Sequence, residues 1–288
     1  MSNFLVTGGS GFLASHLIPK LLEQGHKVFT VDLKDNTLIK KHENFKFYKQ
    51  DVFHLEAANL INFNIDYVFH LAFITNIPNS IEYPTETIRQ NIEMSAHMLE
   101  ISKDAKIKKF LFASTASLYG DNQIPWKEDM KPFPIEPYSV QKLTIEYYCK
   151  LYTKLYGLKT TIFRFFQVFG ENQRNDTALY KFFQAVKNDD VITLTKTTAQ
   201  SSFDTGQRDF IYVGDLADAC IEASMSTRTG HGEILNIATG KVYEMKKIAE
   251  ALEAKVKFIP KRDFEVERHE ADMINTFNIL SWRPKVDV

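Results

Sequence analysis

The sequence has few cysteines, no long hydrophobic run and almost no net charge, and each shortage excludes a class of protein. Its 2 cysteines among 288 residues, Cys149 and Cys220, lie far apart, so we expect neither a disulfide framework nor a metal site. No apolar run approaches the roughly 20 residues of a membrane span, and the first residues do not resemble a signal peptide. A net charge of −1 argues against nucleic acid or an anionic membrane as a partner. We therefore expect a soluble, cytoplasmic, globular protein.

The first two-thirds of the chain alternates short apolar runs with amphipathic stretches, which is typical of βαβ units on a parallel sheet. The apolar runs predict strands at Phe4–Thr7, Lys27–Asp32, Phe45–Gln50, Tyr67–Leu71, Lys109–Ser114, Lys159–Phe166 and Ile234–Ala238. The amphipathic stretches predict helices at Phe12–Gln24, Thr85–Lys103, Ser139–Tyr156 and Asp215–Ser226. The segment Gly120–Pro137, rich in proline and charge, is predicted to be a loop.

Two later segments break this alternation. They contain one predicted helix, Ala178–Lys187, and two short predicted strands, Val191–Leu194 and Val256–Ile259. The sequence therefore predicts an α/β fold with a Rossmann-type doubly wound parallel sheet and a small discontinuous α+β lobe. We assign residues 1–170 and 208–244 to the sheet domain, and residues 171–207 and 245–288 to a substrate-binding lobe.

A glycine-rich turn, Thr7-Gly8-Gly-Ser-Gly11-Phe-Leu-Ala14, joins the first predicted strand to the first helix. Such a turn lets the backbone approach a pyrophosphate, which then sits at the helix N-terminus. An ordinary tight turn is the alternative, but the position after a strand and before a helix favours a bound dinucleotide.

Two acidic residues at strand ends bear on the choice of cofactor. Asp32 ends the second predicted strand, where a carboxylate accepts hydrogen bonds from ribose hydroxyls and repels a 2′-phosphate. We therefore favour NAD, although Lys34 leaves NADP open and Asp32 could instead be a helix cap or a solvated acid. Asp51 follows the third strand and either meets the adenine amino group or is a common strand-end acid.

Tyr138 and Lys142 lie four residues apart in a predicted helix, so they share one face. The lysine charge favours a tyrosine phenolate, which makes the pair a candidate acid/base, although the same spacing often occurs by chance. The hydroxyls of Ser114, Thr115 and Ser117 cluster where the fifth strand ends, which is where doubly wound sheets bind ligands. Alternatively, they satisfy turn backbone groups.

Taken together, these motifs resemble the extended short-chain dehydrogenase/reductase family, specifically its NAD-dependent sugar epimerase/dehydratase branch. The matching stretches are TGGSGFLASH, VFHLA, Asn91, FASTASLYG, YSVQK, FRFFQVFG, RDFIYVGDLADA and LNIATG, followed by a closing SWRP. The resemblance implies a bound NAD(P) and a nucleotide-diphosphate sugar as substrate.

The resemblance also implies roles for individual residues. The catalytic residues would be Tyr138 as acid/base, Lys142 on the nicotinamide ribose and Thr115 on the reacting oxygen. The cofactor-binding residues would be Gly8, Gly11, Phe12, Leu13, Asp32, Asp51, Val52, Leu71, Ala72 and Asn91, together with Tyr138 and Lys142. The substrate-binding residues would be Ser117, Gln167, Arg208 and Arg268, with the arginines on the diphosphate.

The sequence departs from the family pattern at several positions. Ala116 and Ser117 stand where dehydratases and decarboxylases of this branch carry acids, so Tyr138 is the only clear acid/base and those reactions are disfavoured. Gln167 replaces the usual asparagine of the substrate-contacting segment, and Phe73 replaces a small residue over the sugar pocket.

The resulting hypothesis is an NAD-dependent nucleotide-sugar epimerase acting at C4 through a transient keto-sugar. A nucleotide-sugar 4-ketoreductase or dehydrogenase would use the same residues, and a non-catalytic dinucleotide-binding protein is a third alternative. Because the family commonly dimerises through a four-helix bundle, we also expect a homodimer formed by helices Thr85–Lys103 and Ser139–Tyr156.

Overall fold

The computed structural model describes residues 1–261 and 266–288, which form 12 strands and 10 α-helices. The strands are β1 (Asn3–Thr7), β2 (Lys27–Asp32), β3 (Phe45–Lys49), β4 (Tyr67–His70), β5 (Lys109–Thr115), β6 (Thr160–Phe165), β7 (Gln167–Phe169), β8 (Ile192–Thr195), β9 (Gln207–Tyr212), β10 (Glu233–Ile237), β11 (Val242–Glu244) and β12 (Val256–Ile259). The helices are α1 (Ala14–Glu23), α2 (Ala57–Asn62), α3 (Ile77–Glu82), α4 (Pro84–Ile88), α5 (Met94–Asp104), α6 (Pro137–Tyr156), α7 (Ala178–Lys187), α8 (Val213–Met225), α9 (Met245–Ala251) and α10 (Ile274–Ile279). In the described part of the chain, none of them is long and apolar enough to cross a membrane.

Seven parallel strands form the central sheet in the order β10-β6-β5-β4-β1-β2-β3. Helices α1 and α8 pack on one face, while α2, α5 and α6 pack on the other. Strands covered on both faces are buried along their length, which explains why they read as continuous apolar runs. The predicted Rossmann-type doubly wound parallel sheet is confirmed.

The position of the candidate site follows from the strand order. The chain runs outward from β1 to β2 and β3, then returns to add β4 on the other side of β1. Ligands of open α/β sheets bind in the crevice at such a switch point, beyond the carboxyl ends of the strands. The ends of β1, β2, β4 and β5 therefore define one candidate binding edge.

The predicted helix Thr85–Lys103 is interrupted in the structure. Its first turn is α4, which starts at Pro84, and a π-helical turn at Arg89–Glu93 connects it to α5. Short π-helical turns inside helices occur often at functional sites, and this one contains the fully buried Asn91.

Several short elements were not predicted from the sequence, namely β7, β9, β11, α2, α3, α9 and α10. Most of them have too few residues to show a clear hydrophobic period, and β9 begins with the polar residues Gln207, Arg208 and Asp209. Strands β7, β9 and β11 form a separate three-stranded sheet.

The two segments that break the alternation meet in space. Strand β8 from the first pairs in parallel with β12 from the second, with Ile192 opposite Val256. Leu179 and Phe182 of α7 bury a small apolar cluster together with Ile192 of β8. This pairing supports the proposed substrate lobe, and the division into two domains stays a prediction.

Candidate active site

The glycine turn between β1 and α1 is packed too tightly for side chains. Gly8 has φ +73° and its N–H donates to the Val31 carbonyl oxygen at 2.9 Å. A Cβ on Gly8 would lie 2.9 Å from the backbone nitrogen of Ala72. The Gly11 N–H closes the turn on the Gly8 carbonyl at 3.0 Å. The turn therefore holds the backbone close to the crevice between β1 and β4.

Asp32 fixes the shape of this turn. One carboxylate oxygen accepts the Ser10 N–H at 3.0 Å, and the other accepts the Lys34 N–H at 2.9 Å. A carboxylate has about four acceptor positions, so ribose hydroxyls could still bind. Phe12 and Leu13 lead into α1, whose N-terminus has no side-chain cap. The arrangement fits a dinucleotide, with the diphosphate at the helix N-terminus and the ribose on Asp32.

The remaining predicted cofactor residues lie at the same sheet edge. The Asp51 carboxylate accepts the backbone N–H of Phe53 at 3.0 Å and so caps a short 3₁₀ turn that begins at Val52. Leu71 and Ala72 follow β4, and the Ala72 N–H donates to the Thr7 hydroxyl at 3.2 Å. Their direct contacts with a cofactor stay predictions.

Asn91 is a correction to the predicted cofactor set. Its side chain is fully buried, so it offers no surface to a ligand. Its amide oxygen accepts the Ile74 N–H at 2.7 Å, and its amide nitrogen donates to the Ile74 carbonyl and the Gln141 side chain at 3.2 and 2.7 Å. Asn91 therefore joins the loop after β4 to helix α6 and acts as a positioning residue.

Tyr138 and Lys142 occupy the first two turns of α6, as predicted. The Lys142 Nζ donates to the carbonyl oxygen of Ala113 at 2.5 Å, which ties α6 to the end of β5. The Phe73 ring covers this ammonium, with its centroid 3.5 Å from Nζ, and meets the Tyr138 ring edge-on at 5.8 Å. Phe73 therefore contacts both members of the candidate acid/base pair, and its predicted place over the sugar stays a prediction.

Burial governs the ionisation of this pair. It raises the pKa of Tyr138 above its usual value, although a hydrogen bond with Thr115 and the charge of Arg174 act to lower it. Burial also holds the pKa of Lys142 well below its usual value, although the negative charge of Glu146 acts to raise it. Desolvation disfavours the charged form of both groups, and a pKa of Tyr138 lowered by Lys142 beside bound NAD stays a prediction.

The predicted hydroxyls lie beside Tyr138. The Oγ atoms of Thr115 and Ser117 are 3.0 Å apart, and Thr115 acts to lower the pKa of Tyr138. Sequence reasoning missed Glu136, which caps α6 by accepting the Ser139 N–H at 3.0 Å. Glu136 is buried, and its negative charge acts to raise the pKa of Tyr138. An acid two residues before the tyrosine was the available signal.

The predicted substrate residues lie on the three-stranded sheet and beside it. Gln167 begins β7, which pairs with β9. Arg208 on β9 donates to the Glu267 carbonyl at 3.1 Å, and Arg268 forms an ion pair with Glu270 at 2.6 Å. The segment with Arg268 bridges to the start of β9, so the two arginines come from adjacent stretches of backbone. Their contact with a diphosphate stays a prediction.

Arg174 is a second residue that sequence reasoning missed. It follows β7, contacts the Thr75 hydroxyl after β4, and donates from Nε to Asp176 at 2.9 Å. Its positive charge acts to lower the pKa of Tyr138. An arginine just beyond a strand end was its only signal in the sequence.

Known proteins resemble this chain along its whole length. A model of the NAD dependent epimerase/dehydratase family matches residues 4–238. A UDP-glucuronate 4-epimerase from Thermodesulfobacterium geofontis is 32% identical over 310 residues, covering 100% of this chain and 93% of that protein. A putative UDP-glucose 4-epimerase from Methanocaldococcus jannaschii is 30% identical over 298 residues, covering 99% of this chain and 94% of that protein.

Solved structures agree with these relatives. A UDP-glucuronic acid 4-epimerase from Bacillus cereus, solved with UDP-glucuronic acid and NAD, has a TM-score of 0.90 at 27% identity over 99% of this chain and 95% of that one. A UDP-N-acetylglucosamine 4-epimerase from Methanobrevibacter ruminantium has a TM-score of 0.90 at 31% identity over 99% of this chain and 94% of that one. The glycine turn, the tyrosine–lysine pair and these matches lead to one conclusion: the chain belongs to the NAD-dependent epimerase/dehydratase family.

Proposed function

We propose that this protein inverts the configuration at C4 of a UDP-linked sugar, with NAD as its bound cofactor. The observation that carries the proposal is the grouping of Tyr138, Lys142 and Thr115 at the strand ends beside the glycine turn. The relatives named above are 4-epimerases of UDP-sugars, which favours this reaction over a one-way ketoreductase or dehydrogenase.

The residues divide the reaction between them. NAD held at the glycine turn and Asp32 would supply the uptake and return of a hydride, which the protein's own side chains cannot provide. Tyr138 receives the proton of the C4 hydroxyl and gives it back, while the Thr115 hydroxyl orients that oxygen. Lys142 holds the helix against β5 through the Ala113 carbonyl and presents its amine beside the tyrosine.

The same site favours a sugar that carries a carboxylate. Arg174 lies near enough to Tyr138 for its charge to act on the phenol, and 43% of its side chain is exposed. In a hexuronic acid the carboxylate is attached at C5, next to the reacting C4. A guanidinium binds a carboxylate through two parallel hydrogen bonds. We infer that UDP-glucuronate is the preferred substrate and UDP-galacturonate the product.

The substrate proposal is tested with UDP-glucuronate and UDP-glucose, each incubated with the NAD-loaded protein without added cofactor. We expect faster interconversion of UDP-glucuronate and no net change in NADH. Arg174→Ala should lower kcat/KM on UDP-glucuronate by about 10²-fold more than on UDP-glucose. The exposed Arg89→Ala is the control. Equal losses on both sugars would exclude the carboxylate role, and stoichiometric consumption of NADH on a keto-sugar would exclude epimerisation.

A non-catalytic role is tested separately at the tyrosine. Tyr138→Phe removes the only group placed to exchange a proton directly with the sugar and keeps the ring against Phe73. We expect turnover to vanish while NAD affinity, measured by calorimetry, stays close to that of the wild type. Full activity of this variant would contradict the acid/base assignment.

We also propose a homodimer in which α5 and α6 of two copies pack together. Helix α6 exposes a row of large apolar side chains: Val140, Tyr147, Tyr148, Leu151 and Leu155. A contiguous exposed apolar surface of this kind marks an interaction site. Leu151→Asp should give a monomer by light scattering, whereas Phe258→Asp, an exposed apolar position on β12, should not. A wild-type protein that is already monomeric would refute the dimer.

A cytoplasmic location is proposed on the state of the cysteines. Cys149 and Cys220 are both free and buried, as is usual in a reducing compartment. Cell fractionation with a tagged protein tests this, and recovery from the secreted fraction would overturn it.

A further inference from the structure

The Lys142 ammonium is buried, and the carboxylate that acts on it is already paired. The residue is 3% exposed, and its Nζ donates to the carbonyl oxygen of Ala113 at 2.5 Å. The negative charge of Glu146 acts on Lys142, but that carboxylate is bound to Arg164 at 2.7 Å. A buried charge is costly unless it is paired and hydrogen-bonded. One carbonyl does not satisfy an ammonium with several N–H donors, so a further stabilising contact is expected.

Two phenylalanine rings supply such a contact. The centroid of the Phe73 ring lies 3.5 Å from the Lys142 Nζ, and that of Phe112 lies 4.8 Å from it. An aromatic face attracts a cation within about 6 Å of the centroid, and the attraction grows where water is excluded. Phe73 is the closer of the two rings, so we expect it to provide most of this attraction.

Neighbouring groups fix the orientation of the Phe73 ring. It meets the Tyr138 ring at 79° with centroids 5.8 Å apart, and the Phe112 ring at 61° with centroids 6.4 Å apart. Edge-to-face arrangements of this kind are favourable. The adjoining backbone is held as well, because the Asn91 side chain accepts the Ile74 N–H at 2.7 Å. The ring face is therefore held against the ammonium by contacts with β5, α6 and the π-helical turn.

The titratable groups near Lys142 come from two elements. On α6, Tyr138 lies one turn before it and Glu146 one turn after it. His70 of β4 is neutral at neutral pH, because burial and the charge of Lys142 lower its pKa to about 3. Burial holds the pKa of Lys142 itself well below its usual value. A contact that favours the charged amine therefore bears directly on how much of Lys142 is protonated.

A ring and a carboxylate would act differently at this position. A carboxylate beside Lys142 would neutralise the ammonium, and its own negative charge would disfavour a Tyr138 phenolate. The ring stabilises the ammonium through its quadrupole and carries no net charge. The positive charge of Lys142 therefore stays available to a phenolate, which is the form of Tyr138 that takes up a proton from a sugar hydroxyl.

We propose that Phe73 is a positioning residue for the reaction, whose ring face holds Lys142 as a charged ammonium beside Tyr138. This inference rests on the proposed function. Phe73 is also a departure of this chain, since related proteins are expected to carry a small residue at this position. A small side chain has no ring face, so it cannot make this contact with the ammonium.

The test replaces Phe73 by leucine, by tyrosine and by a ring-fluorinated phenylalanine. Phe73→Leu removes the ring face, Phe73→Tyr keeps it, and fluorination keeps the shape of the ring while weakening its attraction for a cation. Phe258→Leu is the matched control, because the exposed Phe258 ring lies 5.7 Å from the Lys196 Nζ. For each NAD-loaded protein, kcat and KM for the UDP-sugar are measured across pH. Without NAD, NMR of isotope-labelled lysine follows the titration of Lys142, whose signal is the one lost in Lys142→Met.

We expect Lys142 to titrate about one pH unit lower in Phe73→Leu than in the wild type. In the NAD-loaded protein, kcat at neutral pH should fall about tenfold with little change in KM. The rising side of the kcat profile should move to higher pH, because a less charged Lys142 favours the Tyr138 phenolate less. The fluorinated protein should lie between the two, Phe73→Tyr should restore most of the lost kcat, and Phe258→Leu should match the wild type.

The role of Phe73 is refuted if Lys142 titrates at the same pH in the wild type and in Phe73→Leu. It is also refuted if the fluorinated protein equals the wild type in both the titration and kcat, or if Phe73→Tyr loses as much kcat as Phe73→Leu. Thermal unfolding checks each fold, and if Phe73→Leu does not fold, the fluorinated protein decides alone. If the wild type interconverts no UDP-sugar, the proposed function is wrong, whereas the NMR titration still decides whether the ring stabilises the ammonium.

Discussion

The buried ion pair between Glu146 and Arg164 provides a sharp test of what holds the active-site helix to the sheet. Both side chains are 2% exposed. Arg164 donates from Nε to Oε1 at 3.0 Å and from a terminal nitrogen to Oε2 at 2.7 Å, and Ser114 donates to Oε1 at 2.6 Å. One carboxylate on α6 therefore joins β5 and β6, one turn after Lys142.

Replacing Glu146 with glutamine leaves the Arg164 charge buried and without its counterion. Breaking a buried pair in this way costs about 3–5 kcal/mol. The Tyr119 ring, with its centroid 4.6 Å from the guanidinium carbon, contacts Arg164 in both proteins and does not change the difference. Glutamine retains one acceptor. We therefore expect Glu146→Gln to lower the free energy of unfolding by about 3 kcal/mol.

The assay is urea unfolding followed by circular dichroism, with midpoints compared at equal slope. Glu146→Gln combined with Arg164→Met should recover most of the loss, since it removes the orphan charge. The control is Asp189→Asn, which removes an exposed ion pair with Lys255 and should cost less than about 1 kcal/mol. A Glu146→Gln variant no less stable than the control, or a double variant no better than the single one, would refute the reasoning.

Three further predictions concern the turn, a buried lysine and the loop after β4. Gly8→Ala should weaken NAD binding at least about tenfold by calorimetry, because its Cβ would meet a backbone nitrogen at 2.9 Å. The control is Gly25→Ala, which lies at φ +76° in open space and isolates the cost of the positive φ. Equal losses of NAD affinity in the two variants would contradict the steric argument. Burial lowers the pKa of Lys109 to about 8, so the folded protein binds this proton less tightly than the unfolded chain does. The stability of the wild type relative to Lys109→Met should therefore rise with pH from about 8 towards about 10.4. A difference in unfolding midpoint that does not change with pH would argue against it. Asn91→Leu should lower kcat more than it lowers NAD affinity, because it removes the hydrogen bonds through which Asn91 joins the loop after β4 to Gln141 of α6. An unchanged kcat in a folded variant would contradict this prediction.

Local sequence pattern was enough to predict the sheet and the place of the catalytic residues. Strands covered on both faces leave continuous apolar runs, and β2 and β12 were predicted with their observed bounds. The order of the strands then brings the ends of β1, β2 and β5 to one edge, so the glycine turn, Asp32 and Thr115 meet without knowledge of any contact. The NAD-dependent epimerase chemistry follows from that grouping and from the family.

What the sequence did not reveal depends on contacts between distant segments. Glu136 belongs to a stretch predicted as loop, and its importance appears only when α6 places it against the hydroxyls after β5. Arg174 reaches Thr75 across the crevice, and no local pattern reports such a contact. The pKa of Tyr138 was predicted to fall because spacing shows that Lys142 is near, but spacing does not show that both groups are buried.

The place of Glu136 also bears on which reactions the site supports. Related dehydratases are expected to carry their acids directly after the catalytic threonine, where this chain has Ala116 and Ser117. Here the carboxylate belongs to Glu136, which caps α6 two residues before Tyr138. Because neither Ala116 nor Ser117 can act as a general acid or base at neutral pH, dehydration stays disfavoured, and the chemistry proposed for this site is confined to one proton and one hydride at C4.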